Sequence, residues 1–270
     1  MTYRVVMPIL AALGLGVLTA CSDGGSSASG DASSGNLSQN LLQSAGQVQD
    51  QSARMSTGNV IESAMGDWLA VHLPTEPTPL EELGFRFGDP EAPVQVLEFS
   101  DFGCGYCRQF HIETFGALHD EYIETGKVHW QYVPALLGIF PNAIEAAVVG
   151  ECVGEQGRFR QVMDALFERQ SDWKGASGDP MEVLYDIAEG AGADRAALEG
   201  CVETESPGPR IAAGTAYFAN SGSRGTPSFF IVGMARIPGA VPLELFREIL
   251  DTAYVAAERG QLQPPGSGGM

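Results

Sequence analysis

Cys104 and Cys107, separated by Gly105-Tyr106, are the residues whose type and spacing most directly suggest chemistry. Two thiols three positions apart can close into a disulfide and reopen, so the pair can take up or release two electrons. They follow an apolar run, Val94-Gln95-Val96-Leu97-Glu98-Phe99, and open an amphipathic stretch. A buried strand that delivers C-x-x-C to a helix start sets the first sulfur at the positive end of the helix dipole. The thiolate, which is the nucleophile in disulfide exchange, is favoured there. By itself C-x-x-C also reads as half of a zinc site, so other residues must decide.

Three further features bear on the pair. Glu98 stands six residues before Cys104 in a strand of Val, Leu and Phe. Buried there, a carboxylate can pass protons to or from a leaving thiol; on the other strand face it would be solvated or cap a neighbour. Gly225-Thr226-Pro227 precedes Ser228-Phe229-Phe230-Ile231-Val232. A proline opening a strand is ordinary. The sharper expectation is a cis Thr226–Pro227 bond turned toward the dithiol, leaving Thr226 backbone groups free for a substrate peptide and denying a metal the sulfurs. Cys152 and Cys201 are the remaining thiols outside the leader. With Cys104 paired to Cys107, they either form a structural disulfide or stay as two free buried thiols. Closing a loop of about fifty residues stabilises by roughly 4 kcal/mol in the chain-entropy model. Zinc is disfavoured, since there is no second C-x-x-C or C-x-x-H, and His72, His111, His119 and His129 lack partners at ligand spacing.

The compartment follows from the N-terminus. Met1 to Met7 carry one positive charge, Arg4, and Pro8 to Leu18 are almost wholly apolar. The run is too short for a membrane span and ends in small residues, as a cleaved signal does. Leu18-Thr19-Ala20-Cys21 resembles the bacterial lipoprotein lipobox, which implies lipidation of Cys21; Ser22 after it points to the outer membrane. Disulfides persist in such a compartment. The acidic balance, 34 Asp and Glu against 15 Lys and Arg for a net charge of −19, repels nucleic acid and anionic headgroups.

The elements that must position these residues alternate strand and helix. The pattern predicts strands over Pro93–Phe99, Val128–Pro134 and Pro227–Val232. Helices are predicted over Val60–Leu73, Tyr106–Glu124, Pro141–Cys152, Gln156–Gln170, Pro180–Gly190, Asp194–Val202, Pro209–Asn220 and Val241–Glu258. This order implies an α/β fold, a small sheet domain interrupted by a helical insertion. The expected division is a signal peptide (1–20), a lipidated flexible tether rich in Ser, Gly and Gln (21–57) and an N-terminal helical arm (58–82). A sheet domain (83–138 and 222–260), a helical insertion (139–221) and a Pro/Gly tail (261–270) complete it.

Gly88-Asp89-Pro90-Glu91-Ala92-Pro93, then Leu97-Glu98-Phe99-Ser100-Asp101-Phe102, then Cys104 to Cys107 with Arg108-Gln109-Phe110 resemble the opening signature of the DsbA-like thiol-disulfide oxidoreductases of the thioredoxin superfamily. Gly126-Lys127-Val128 and Gly225-Thr226-Pro227 match its later landmarks. The resemblance spans about residues 84–258. It implies a thioredoxin-like fold with an inserted helical domain, Cys104 as attacking thiol, Cys107 as buried resolving thiol, Pro227 as cis-proline and Glu98 as the acid below the disulfide. One departure matters. Strongly oxidising members often carry Pro-His between the cysteines, whereas Gly105-Tyr106 brings no positive charge, so Cys104 should be less acidified and the couple less oxidising. The same dipeptide resembles that of periplasmic disulfide isomerases, although those add an N-terminal dimerisation domain for which 22–57 is a poor match.

The expectation is therefore a lipid-anchored envelope enzyme acting on cysteine pairs of exported proteins, with no cofactor beyond the dithiol. A redox partner would recycle it, and nothing demands more than a monomer. Tyr106 is expected to touch substrate from the helix start, and His111 to be a surface or half-buried helix residue rather than a catalytic base. Trp68, Trp130 and Trp173 read as core or interface fillers. Isomerase or reductase work is the alternative, as is a non-catalytic metallochaperone holding a soft metal at Cys104 and Cys107.

Overall fold

The computed structural model describes residues 64–262 apart from Ser177 and Ala235. The signal peptide, Cys21, the tether, the first residues of the N-terminal arm and the tail from 263 lie outside the described residues. Helix α1 (Ala64–His72) precedes a 3-10 turn (Leu80–Glu82), and β1 (Phe85–Phe87) leads to β2 (Val94–Ser100). A helical run then opens as α2 (Gly105–Phe110) and continues through a π turn (His111–Phe115), a short α segment (Gly116–Leu118) and a second π turn (His119–Ile123). Strand β3 (Val128–Pro134) is followed by α3 (Ala143–Glu155), α4 (Phe159–Glu168), α5 (Gln170–Lys174), α6 (Met181–Gly190), α7 (Arg195–Thr204) and α8 (Gly208–Asn220). Strands β4 (Ser228–Ile231) and β5 (Arg236–Pro238) and helix α9 (Leu243–Glu258) close the chain.

The five strands form one mixed sheet in the order β1-β3-β2-β4-β5. Central β2 runs parallel to β3 and antiparallel to β4, with Glu98 opposite Tyr132 on one side and Phe229 on the other. This is the thioredoxin-like α/β arrangement that the sequence implied. Strands β1 and β5, three residues each, were not anticipated, because so short a run carries no readable alternation. Gly84 admits β1 to the sheet: it holds a positive φ of 61°, and a Cβ there would meet the Tyr132 carbonyl oxygen at 1.8 Å.

Strand periodicity sorts the core. Val94, Val96, Trp130, Tyr132, Phe229 and Ile231 face one side, where they pack with the helical run, the insertion and α9. Leu97, Phe99 and Val133 face the other, under Ala213 and Phe218 of α8. The first cluster runs without a break from the sheet through Phe102 and Phe110 into Phe159, Met163, Phe167 and Trp173 of the insertion. Sheet and insertion thus share one core. Within the insertion a disulfide joins Cys152 of α3 to Cys201 of α7, with Cα atoms 5.9 Å apart, and the Asp194 side chain caps α7 by accepting from Ala197 N.

Candidate active site

Strand β2 ends at Ser100, and four residues later Cys104 takes an extended conformation as the cap of α2. Each carbonyl of this connection has a donor. Asp101 O accepts from Cys104 N (2.9 Å) and Cys104 O from Arg108 N (3.1 Å). The insertion supplies the others: Gln170 Nε2 donates to Phe102 O (2.6 Å) and Cys104 O (3.0 Å), and Lys174 Nζ to Gly103 O. The Asp101 carboxylate accepts from Gly103 N and from Leu137 N, both at 2.8 Å. At Gly103 a Cβ would lie 2.4 Å from Phe140 Cβ. The loop that presents the dithiol is therefore fastened from three directions, and little backbone polarity is left unpaired.

Cys104 and Cys107 are both free thiols; Cys104 is 4% exposed and Cys107 fully buried. Tyr106 stands beside them 69% exposed, at the rim. The Thr226–Pro227 peptide is cis, and the Cys104 thiol donates to Thr226 O at 3.3 Å. The two sulfurs are electrostatically unequal. A hydrogen bond from the Cys107 thiol brings the Cys104 pKa down to about 5. Burial opposes this, and Thr226 and the N–H groups of Cys107 and Tyr106 add to it. Burial drives Cys107 the other way, well above the ordinary thiol range, and the neighbouring Cys104 charge adds to it. The acidification of Cys104 thus comes from its neighbour and the helix start, with no cationic side chain in the dipeptide.

Below the sulfurs lies a polar layer on the inner sheet face. Glu98 is 0% exposed. Its Oε1 lies 2.8 Å from His111 Nε2, and its Oε2 accepts from Trp130 Nε1 at 3.0 Å. The structure corrects the reading of His111: it is 6% exposed, stacked on Phe167 with centroids 4.4 Å apart, and faces the sheet instead of solvent. Trp130 and Trp173 are fully buried, and Trp68 is partly buried against the core.

Several residues here were given no role from the sequence, although Ser100 and Asp101 fall within the resembled signature. Asp101 is buried, and desolvation raises its carboxyl to about 6; its two backbone donors and Lys174 lower it and the Cys104 charge raises it. Ser100 and Tyr132 are fully buried, Tyr132 in register with Glu98, and Gln170 and Lys174 hold the loop. One signal was available. Glu98 and Ser100 share strand parity, and Cys107 and His111 are four apart on a helix, so the two patterns superpose. Among the described residues, no group of three or more His, Cys, Asp or Glu side chains is disposed to hold a metal ion. What the arrangement offers is one activated sulfur, one suppressed sulfur and a buried acid.

A thioredoxin family model matches residues 81–252. A Rickettsia felis protein named "Putative protein-disulfide oxidoreductase" is 28% identical over 148 residues, 54% of this chain and 52% of that protein. The chain thus spans about half the length of the curated relatives it matches. The crystal structure of Wolbachia pipientis alpha-DsbA1 is 22% identical, with a TM-score of 0.59 over 71% of this chain and 98% of that one. A protein-disulfide isomerase structure from Novosphingobium aromaticivorans is 25% identical, with a TM-score of 0.52 over 62% and 96%. With the family matched across sheet, insertion and dithiol together, the chain belongs to the thioredoxin family and has the DsbA-like form of its fold.

Proposed function

We propose that this chain is a thiol-disulfide oxidoreductase of the bacterial envelope, exchanging disulfides with cysteine pairs of exported proteins. The inequality of the two thiols carries the reading: Cys104 is held near its thiolate beside Thr226, and Cys107 is kept protonated below it. Cys104 attacks or is attacked, a mixed disulfide forms through its sulfur, and Cys107 resolves it. Glu98 serves as the buried acid. Pro227 and Thr226 shape the wall against which a client strand lies, and Tyr106 meets that client at the rim. The matched relatives named as protein-disulfide oxidoreductases support the same chemistry. The leader and Cys21 support export and lipid anchoring, and among the described residues no helix is long and apolar enough to cross a membrane. Cys104→Ser should abolish both insulin reduction and dithiol oxidation; activity surviving in that variant would sink the proposal.

The Gly105-Tyr106 dipeptide favours a second reading, in which the same site removes or reshuffles disulfides. The similarity to an isomerase structure supports it. The reduction potential separates the two: a value near about −120 mV means a donor oxidase and one near about −270 mV a reductase.

A further inference from the structure

Helix α1 precedes both the sheet and the insertion in the chain, yet it is packed close to the dithiol loop. Met65, Leu69 and His72, at i, i+4 and i+7, share one helix face. Met65 and Leu69 are buried. His72 fastens the far end: its Nε2 lies 3.0 Å from Glu205 Oε2, and a Cβ on Gly208 would meet its ring at 2.1 Å. At the near end Met65 covers Gly138. A Cβ there would lie 2.6 Å from Met65 Cε and 2.9 Å from its Sδ, and Gly138 turns the chain with a positive φ of 73°. The turn over 137–140 beneath Met65 touches the dithiol loop twice. Leu137 N donates to Asp101 Oδ2 at 2.8 Å, and Phe140 packs against Gly103 so closely that no Cβ fits there. Lys174 closes this layer, donating to Gly103 O and standing 4.5 Å from the centre of the Phe140 ring. Contacts thus run unbroken from Met65 through Gly138 and Leu137 to Asp101, whose own carbonyl accepts from Cys104 N.

We infer that helix α1 is part of the dithiol site, with Met65 as a positioning residue. Its thioether holds the 137–140 turn against the dithiol loop and so keeps the Leu137 N–H on the Asp101 carboxylate beside Cys104. This rests on the disulfide-exchange reading of the site and adds to it a segment that touches neither sulfur. Met65 belongs to the main core, so truncating it costs stability as at any core position. The further consequence is electrostatic. Burial raises the Asp101 carboxyl to about 6, and the Leu137 N–H comes first among the groups that oppose burial. A donor to the ionised form favours that form. When the turn relaxes, the carboxyl keeps its proton to higher pH. Less negative charge then stands beside the Cys104 thiolate, and the reduced site becomes easier to form.

The test equilibrates the full-length protein with glutathione buffers at pH 7. Two glutathione thiols give two electrons and two protons to the Cys104–Cys107 disulfide and leave as glutathione disulfide. Met65→Ala should move the equilibrium constant toward the dithiol by at least about twofold. Met65→Leu, which still reaches the turn, should keep the wild-type constant. The deciding comparison is the Asp101→Asn background, where Met65→Ala should shift nothing further, because the coupling runs through that carboxylate. A folded Met65→Ala protein with the wild-type constant overturns the inference, and so does an equal shift in both backgrounds. If Met65→Ala does not fold, Met65→Val, which keeps Cβ but lacks Sδ and Cε, decides by the same criteria. A wild type that does not exchange with glutathione overturns the disulfide-exchange reading itself, so the two failures are distinguishable.

Discussion

At the scale of single residues, the chemistry of Cys104 turns on charges within a few ångströms, and Asp101 is the one to change. Its carboxyl ionises at about 6 beside a sulfur that ionises at about 5. At neutral pH the reduced site therefore holds two neighbouring negative charges, and the oxidised site only one. The carboxylate charge thus destabilises the reduced form and lowers the potential. Asp101→Asn removes that repulsion, so its couple should be more oxidising than wild type at pH 7, by up to about 30 mV for one tenfold change in equilibrium. The sign can be checked through pH. Below about 5 the Cys104 sulfur is itself protonated, so the reduced site no longer holds two charges and variant and wild type should converge there; the gap should open as pH rises through 6. Equilibration against glutathione buffers with thiol alkylation reads it. A gap that is absent at pH 7, or equally large at pH 4.5, removes Asp101 from the electrostatics of the site.

At the scale of elements, the site is held by a helix of the insertion as well as by the sheet. Gln170 at the start of α5 satisfies two carbonyls of the dithiol loop, and both bonds are buried. Gln170→Ala should take the side-chain donor from Phe102 O, leave Cys104 O with Arg108 N alone, and cost about 1–3 kcal/mol, read by urea unfolding. A loss below about 0.5 kcal/mol would mean that the loop holds itself. Such contacts show what could be read from the chain and what could not. Strands β2, β3 and β4 announce themselves through β-branched and aromatic runs, and the dithiol lies where a strand meets an amphipathic stretch. Gln170 and Lys174 reach a loop 66 to 71 residues earlier in the chain, and no local pattern encodes a partner so distant. His111 was misread for a related reason: its helix face was legible, but the partner that draws it inward, Glu98, sits on another element. Two π turns that displace the later helix register had no signal in propensity.

For the whole molecule, one core binds sheet and insertion, so the remaining freedom lies at the surface, and that surface is acidic. On the disulfide-exchange reading proposed above, a net charge of −19 produces a field that a diffusing client would meet before it meets Cys104. Fields of this kind raise encounter rates for opposite charge and depress them for like charge, and salt erases both effects once the Debye length falls to a few ångströms. The sulfur chemistry is the same for every client, so charge selection should appear in the second-order rate and not in the resolving step. A lysine-rich peptide carrying one disulfide should react at least about tenfold faster than a glutamate-rich peptide of the same length in about 0.01 M salt. At about 1 M salt, where the Debye length is about 3 Å, the two rates should approach each other within about threefold. Stopped-flow tryptophan fluorescence can follow the encounter, because Trp130 donates to Glu98 below the dithiol. Equal rates at low salt would mean that the field near Cys104 is locally neutral and that clients are chosen by the rim around Tyr106 instead.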